Sequence, residues 1–198
     1  MKIKICGLFR NQDIDYVNAY QPDYIGFVFA KSKRQVTYQL AKQLKQQLDP
    51  NILAVGVFVD SNLDIIEKLA DDKIIDLVQL HGNEDVAYIR QLKKRIQLPI
   101  IKAIKMSNNI DLKKLNYPVD YYLLDNVVSG SGQTFNWSLI KEIDKPFFLA
   151  GGLNLNNLDQ ALKIKAYGLD LSSGVETDGC KDRNKIEQVV RRVKNGNR

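Results

Sequence analysis

Ile3-Lys4-Ile5-Cys6-Gly7-Leu8 opens the chain with a short apolar run that stops at a cysteine and turns on a glycine. A strand ending in a special residue and a tight turn is how a parallel α/β sheet presents its chemistry. Similar runs recur along the chain at Tyr24 to Phe29, Ile52 to Phe58, Leu77 to Leu80, Ile100 to Ile104, Tyr121 to Leu124, Phe147 to Leu149 and Leu169 to Ser172. Their starts lie roughly 21 to 28 residues apart, the length of one strand, one helix and two tight loops. The runs are almost continuously apolar, as strands are when helices cover both sides of a parallel sheet.

Amphipathic segments separate the runs. Leu40, Leu44 and Leu48 form one stripe at helical spacing, and Leu63, Ile66, Leu69 and Ala70 form another. Ser61, Asn83 and Asn154 stand where helix caps are expected. Eight such units predict a single-domain (β/α)8 TIM barrel over residues 1–198, at the short end of that fold's range. An open doubly wound sheet would use fewer strands, and no dinucleotide fingerprint follows the first one. The segment from Asn108 to Pro118 is the weak point, with a short and poorly capped helix predicted.

The 198 residues are 44% hydrophobic and 26% charged, an ordinary globular balance. No stretch approaches the ~20 apolar residues of a membrane span, and the N-terminus reads as a strand rather than an export signal. Two cysteines make no disulfide framework, which predicts a cytoplasmic protein. The net charge of +6 is spread along the presumed helices without interleaved aromatics, which argues against nucleic acid and leaves room for a small anion. One histidine and two distant cysteines do not supply a usual zinc set, so no metal or other cofactor is expected.

The C-terminal ends of barrel strands converge on one face. In order they carry Cys6, Lys31 to Arg34, Phe58 with Asp60, His81, Lys102, Asp125, Gly151-Gly152 and Ser173-Gly174. The glycine loops after the seventh and eighth strands are where backbone N–H groups can approach a phosphate. Ser129-Gly130-Ser131-Gly132-Gln133-Thr134 is rich enough in glycine and serine to close over a substrate. His81, the sole histidine, is on these grounds a candidate base, and Asp170 is either a pocket residue or a buried structural carboxylate.

Lys4 to Leu8, Gly26-Phe27-Val28-Phe29, Lys31 to Arg34, Val55 to Val59 and Val78-Gln79-Leu80-His81-Gly82 together resemble the N-(5′-phosphoribosyl)anthranilate isomerase family of tryptophan biosynthesis. Leu123-Leu124-Asp125, Gly130 to Phe135, Leu149 to Leu153 and Leu171 to Glu176 extend the resemblance over essentially the whole chain. One departure is Asn136, where the family often has aspartate, and asparagine caps a helix about as well. Cys180 occupies a position expected to vary.

The resemblance implies an Amadori rearrangement of an aminoaldose phosphate, with Asp125 as acid and Cys6 as base. It also implies a pocket role for His81. Arg34, whose planar fork matches a carboxylate, is the candidate for the anthranilate carboxylate, Asp170 stays open between pocket and structural roles, and the glycine loops make Gly151, Gly152, Ser173 and Gly174 the expected phosphate holders. An ordinary aspartic acid loses its proton far below neutrality, and an ordinary cysteine is only a few per cent thiolate there. Each role therefore needs an environment, and Lys102 or Arg34 is the cation expected to favour the thiolate. The partner is a small phosphorylated substrate, and the enzyme is a monomer or a homodimer. The rival is another phosphosugar barrel such as ProFAR isomerase or a bifunctional isomerase, which would place an aspartate where Cys6 stands. A non-catalytic phosphate module would lack Cys6 or Asp125. An oxidative bridge from Cys6 to Cys180 requires Cα atoms within about 7 Å.

Overall fold

The computed structural model describes residues 1–107, 110–126, 134–140 and 143–195. Eight parallel strands close in sequence order into a barrel: β1 Lys2–Cys6, β2 Tyr24–Val28, β3 Leu53–Phe58, β4 Leu77–Leu80, β5 Ile100–Met106, β6 Tyr121–Asn126, β7 Phe147–Leu149 and β8 Gly168–Leu171. The (β/α)8 expectation holds, and each strand lies within two residues of its predicted run. Closure is made by β1 against β8, with Lys2 opposite Gly168 and Lys4 opposite Asp170. No helix among the described residues is long and apolar enough to cross a membrane.

Period-two alternation divides the strands into two packed layers. Outward residues such as Ile5, Ile25, Leu80, Leu124 and Leu169 join the core under the helices. Inward residues Tyr24, Val55, Leu77, Ile101, Ala103, Leu123, Phe148 and Ala150 fill the barrel. Tyr24, Tyr121 and Tyr167 stand at or just before strand starts, each with its ring centroid 5.3 to 5.8 Å from that of Phe148, and Tyr121 and Tyr167 lie 4.9 Å apart. The Tyr24 and Tyr167 hydroxyls share a hydrogen bond of 2.8 Å, so this aromatic plug is both dense and satisfied.

The outer layer is uneven. Long helices α1 Asn11–Tyr20, α2 Tyr38–Gln47, α3 Leu63–Asp71 and α4 Val86–Arg95 cover the first half, α5 Leu158–Ala161 is a single turn, and α6 Arg183–Asn195 follows β8. After β5 and β6 the expected helices are replaced, among the described residues, by 3-10 turns at Leu112–Lys114 and Trp137–Leu139. The first is too closely followed by Pro118 to extend. It is nevertheless capped, because the Asp111 side chain accepts from Lys113 N at 3.1 Å. Asn136 caps the second turn through Ser138 N at 3.0 Å, as the aspartate-to-asparagine departure allows.

Three predicted caps are displaced. Asn62 rather than Ser61 caps α3, and Asp85 rather than Asn83 caps α4, each accepting a backbone N–H of the first turn. Asn154 caps no helix. It forms a turn with Asn157, the residue that precedes α5.

The plug predicts a separable stability effect. Phe148 is fully buried inside the barrel, so Phe148→Ala should cost about 3–5 kcal/mol in urea unfolding while leaving kcat near wild type. A loss of kcat without loss of stability would contradict the separation of plug from rim.

Candidate active site

Lys4 and Cys6 lie two residues apart on β1 and therefore share its inner face. Lys4 is fully buried, and its Nζ donates to Asp170 Oδ1 across the β1–β8 seam at 2.9 Å. Burial lowers the Lys4 ammonium, but the adjacent Asp170 and Cys6 overcome this and hold it above the ordinary lysine value. The Cys6 thiol is also buried. Burial pushes it up, Asp170 adds to the rise, and Lys4 and Lys181 pull it back without cancelling it. The opposite wall is Gly26 on β2, where a Cβ would lie 2.6 Å from Cys6 Sγ.

A hairpin after β8 supplies Lys181. Glu176–Thr177 forms β9 and Cys180–Lys181 forms β10, antiparallel, with Lys181 opposite Glu176. Asp178 and Gly179 between them both have positive φ, 53° and 77°, as an Asp-Gly hairpin turn demands. Lys181 is buried and its Nζ donates to Glu176 Oε1 at 2.5 Å and to Ser172 O at 3.1 Å. Burial lowers Lys181 more than Glu176 raises it. Arg34 closes the cluster: its Nε and Nη2 donate to the two Glu176 oxygens, both at 2.6 Å. Glu176 is itself held below the ordinary glutamate range, with Arg34 and Lys181 outweighing burial.

On the other side of the mouth, Gln79 Nε2 donates to His81 Nδ1 at 2.9 Å. His81 Nε2–H is then the donor to Asp125 Oδ2 at 3.2 Å. Asp125 Oδ1 accepts from Asn126 N at 2.8 Å. A Cβ on Gly151 would stand 3.0 Å from that same oxygen, so the loop after β7 runs directly over the carboxyl. Gly151 and Gly152 both have positive φ, and the Gly152 carbonyl is anchored by the amides of Asn154 and Asn157 at 2.9 and 3.0 Å. No hydrogen bond within the described residues takes the N–H groups of Gly151 and Gly152. Gly174 packs its backbone on the loop after β7, since a Cβ there would meet Leu153 O at 1.8 Å. Ser173 is exposed beside it.

The nominated residues thus form two groups on one rim. Cys6, Arg34 and Asp170 belong to a charged cluster at the β1–β8 seam, and His81, Asp125 and Gly151 meet on the β4–β7 side. Lys102 does not join either. It lies between the inward residues Ile101 and Ala103, faces the helix layer, and donates to Glu84 Oε2 and Gly82 O at 2.7 and 2.8 Å. The expectation that it favours the thiolate is corrected: Lys4 and Lys181 are cations at Cys6, together with Arg34, the other expected one. Lys4 was detectable as a lysine inside the apolar run Ile3 to Cys6, two residues from Cys6, and Asp178-Gly179 is a hairpin signal that places Lys181. Residues 129–133 of the glycine- and serine-rich loop lie outside the described residues. Cys6 and Cys180 are both free thiols.

A closed barrel with ionisable side chains and glycine loops gathered on its C-terminal rim defines an acid–base barrel suited to a phosphorylated small molecule. The family model described as N-(5′phosphoribosyl)anthranilate (PRA) isomerase matches residues 3–192. The N-(5′-phosphoribosyl)anthranilate isomerase of Endomicrobium trichonymphae is 49% identical over 195 residues, covering 96% of each chain. The phosphoribosyl anthranilate isomerase of Thermus thermophilus superposes with a TM-score of 0.90 at 30% identity, over 98% of this chain and 99% of that one. A second isomerase structure, in complex with reduced 1-(o-carboxyphenylamino)-1-deoxyribulose 5-phosphate, gives 0.86 at 33% identity over the same shares. The chain belongs to the N-(5′-phosphoribosyl)anthranilate isomerase family.

The Gly26 contact carries its own test. Gly26→Ala should force the Cys6 side chain out of place, costing about 1–3 kcal/mol of stability and most of the turnover. Wild-type kcat in this variant would show that the position of the sulfur is immaterial.

Proposed function

We propose that the chain converts N-(5′-phosphoribosyl)anthranilate to 1-(2-carboxyphenylamino)-1-deoxyribulose 5-phosphate in the cytoplasm, as an isomerase of tryptophan biosynthesis. The observation that carries this is the family match over residues 3–192 together with Cys6 and Asp125 on the inner rim of one barrel. Every group assigned a role comes from one chain, so a monomer or a homodimer could work equally well.

Asp125 gives its proton to the ribose ring oxygen as the bond from that oxygen to C1′ breaks, leaving a protonated Schiff base. The Cys6 thiolate then removes the C2′ proton, and the electron pair flows into an enolamine. The enol loses its hydroxyl proton while C1′ gains one, and transfer from the Cys6 thiol back to Asp125 through solvent resets the pair. Only protons move, so the chemistry itself calls for no redox group. His81 fixes the rotation of the Asp125 carboxyl through the 3.2 Å bond. Arg34 holds Glu176 with Nε and Nη2, which leaves its Nη1 edge to take the anthranilate carboxylate. The N–H groups of Gly151 and Gly152, with Ser173 and Gly174 opposite, receive the phosphate. Asp170 acts indirectly, by holding Lys4.

Two measurements test the roles. Cys6→Ala and Asp125→Asn should each lower kcat by about 10²–10⁴-fold with product affinity nearly unchanged, followed by the loss of phosphoribosylanthranilate fluorescence. Wild-type turnover in either variant removes that residue from the mechanism. The pH profile follows from the thiol. Because burial holds Cys6 above its ordinary value, the thiolate is the minor form at neutral pH. In Asp125→Asn, where the acid no longer titrates, the residual kcat/KM should therefore rise with pH, by about tenfold per unit below the thiol's pKa. A flat profile between about pH 6 and 8 in that variant would exclude a thiol as the limiting base.

A further inference from the structure

The groups that face Cys6 come from every element around it: Lys4 on β1, Asp170 on β8, Lys181 on β10, and Arg34 from the loop after β2. Glu176 pairs with the last two. These five side chains comprise three cations and two anions, so the cluster around a neutral thiol carries one unmatched positive charge. A thiolate neutralises it. Among the cations, Arg34 and Lys181 are both committed to Glu176, at 2.6 and 2.5 Å. Lys4 shares the inner face of β1 with Cys6 and is fully buried.

We infer that Lys4 is a positioning residue whose buried ammonium, tethered by Asp170, stabilises the thiolate of Cys6. The inference rests on the reading of Cys6 as the base. Lys4 does so through the field of a desolvated charge, which is far stronger in a buried cluster than at a surface. Asp170 opposes the thiolate electrostatically, yet it holds Lys4 folded inside the barrel in its charged form. The direction for the Cys6 thiol agrees with this balance: burial raises it, and Lys4 opposes that rise more strongly than any other neighbour.

The test is the pH dependence of iodoacetamide alkylation of Cys6, carried out in a Cys180→Ser background so that one thiol reports. Lys4→Met should raise the alkylation midpoint by about one pH unit or more and slow alkylation about tenfold at pH 7.5. Lys4→Arg should return both to near wild type. Because Lys4→Met leaves Asp170 buried without its partner, the double variant Lys4→Met with Asp170→Asn is measured as well. It leaves no orphaned charge and should still titrate above wild type. A wild-type midpoint in that double variant, or faster alkylation at neutral pH in folded Lys4→Met, would overturn the inference. Alkylation needs no turnover. If Cys6→Ala kept full activity the base assignment would fail, while the midpoints would still report whether Lys4 governs the thiol.

Discussion

The ion pair between Lys4 and Asp170 is the constraint around which the rest of the site is arranged. Two charges have been taken out of water at the seam where the barrel closes. Desolvation of such a pair is repaid only by near-ideal geometry, and removing one partner leaves a buried charge that costs about 3–5 kcal/mol. An apolar pair could close the seam with less penalty. The retention of charge there makes sense once the neighbouring side chain is a buried thiol that must lose a proton.

From that pair the polar network spreads in one direction. Ser172 Oγ donates to Cys6 O at 3.1 Å, and Ser172 O accepts from Lys181, so the end of β8 is tied to the end of β1 and to the hairpin beyond it. Arg10 extends the tie, donating to Asp13 and to Lys181 O at 2.7 and 2.9 Å. The barrel is therefore graded along its axis. Tyrosines and Phe148 plug the end where strands begin, aliphatic residues fill the middle, and Lys4, Cys6, Gln79, His81, Asp125 and Asp170 line the end where strands finish. Stability is concentrated at one end and reactivity at the other.

Much of this was legible in the sequence because apolar runs of four to seven residues, spaced by a helix's length, leave few alternatives to a closed parallel sheet. Less legible was the direction in which a side chain on such a strand points. With both faces apolar, the pattern of β5 does not reveal that Lys102 faces the helices, and the pattern of β1 does not reveal that Lys4 faces inward. Lys4 could be placed only by its two-residue spacing from Cys6. Helix starts slipped by one or two residues because adjacent polar residues compete for the cap: Ser61 with Asn62, and Asn83 with Asp85. Asn83 is occupied elsewhere, its N–H donating to Asp60 Oδ1 at 2.7 Å. Among the described residues, 3-10 turns stand where helices were expected after β5 and β6, and only the first of these segments, Asn108 to Pro118, was marked as weak in the sequence.

The seam also has a consequence in time. Ribosomes deliver chains from the N-terminus, so Lys4 and Cys6 emerge first, whereas Asp170, Glu176 and Lys181 emerge more than 160 residues later. Until the last quarter of the chain docks, Lys4 has no counter-charge and Cys6 lacks the neighbours that set its protonation. Burying that lysine before its partner docks would leave an unpaired charge inside the barrel. Competence for chemistry and completion of the fold thus arrive in the same event.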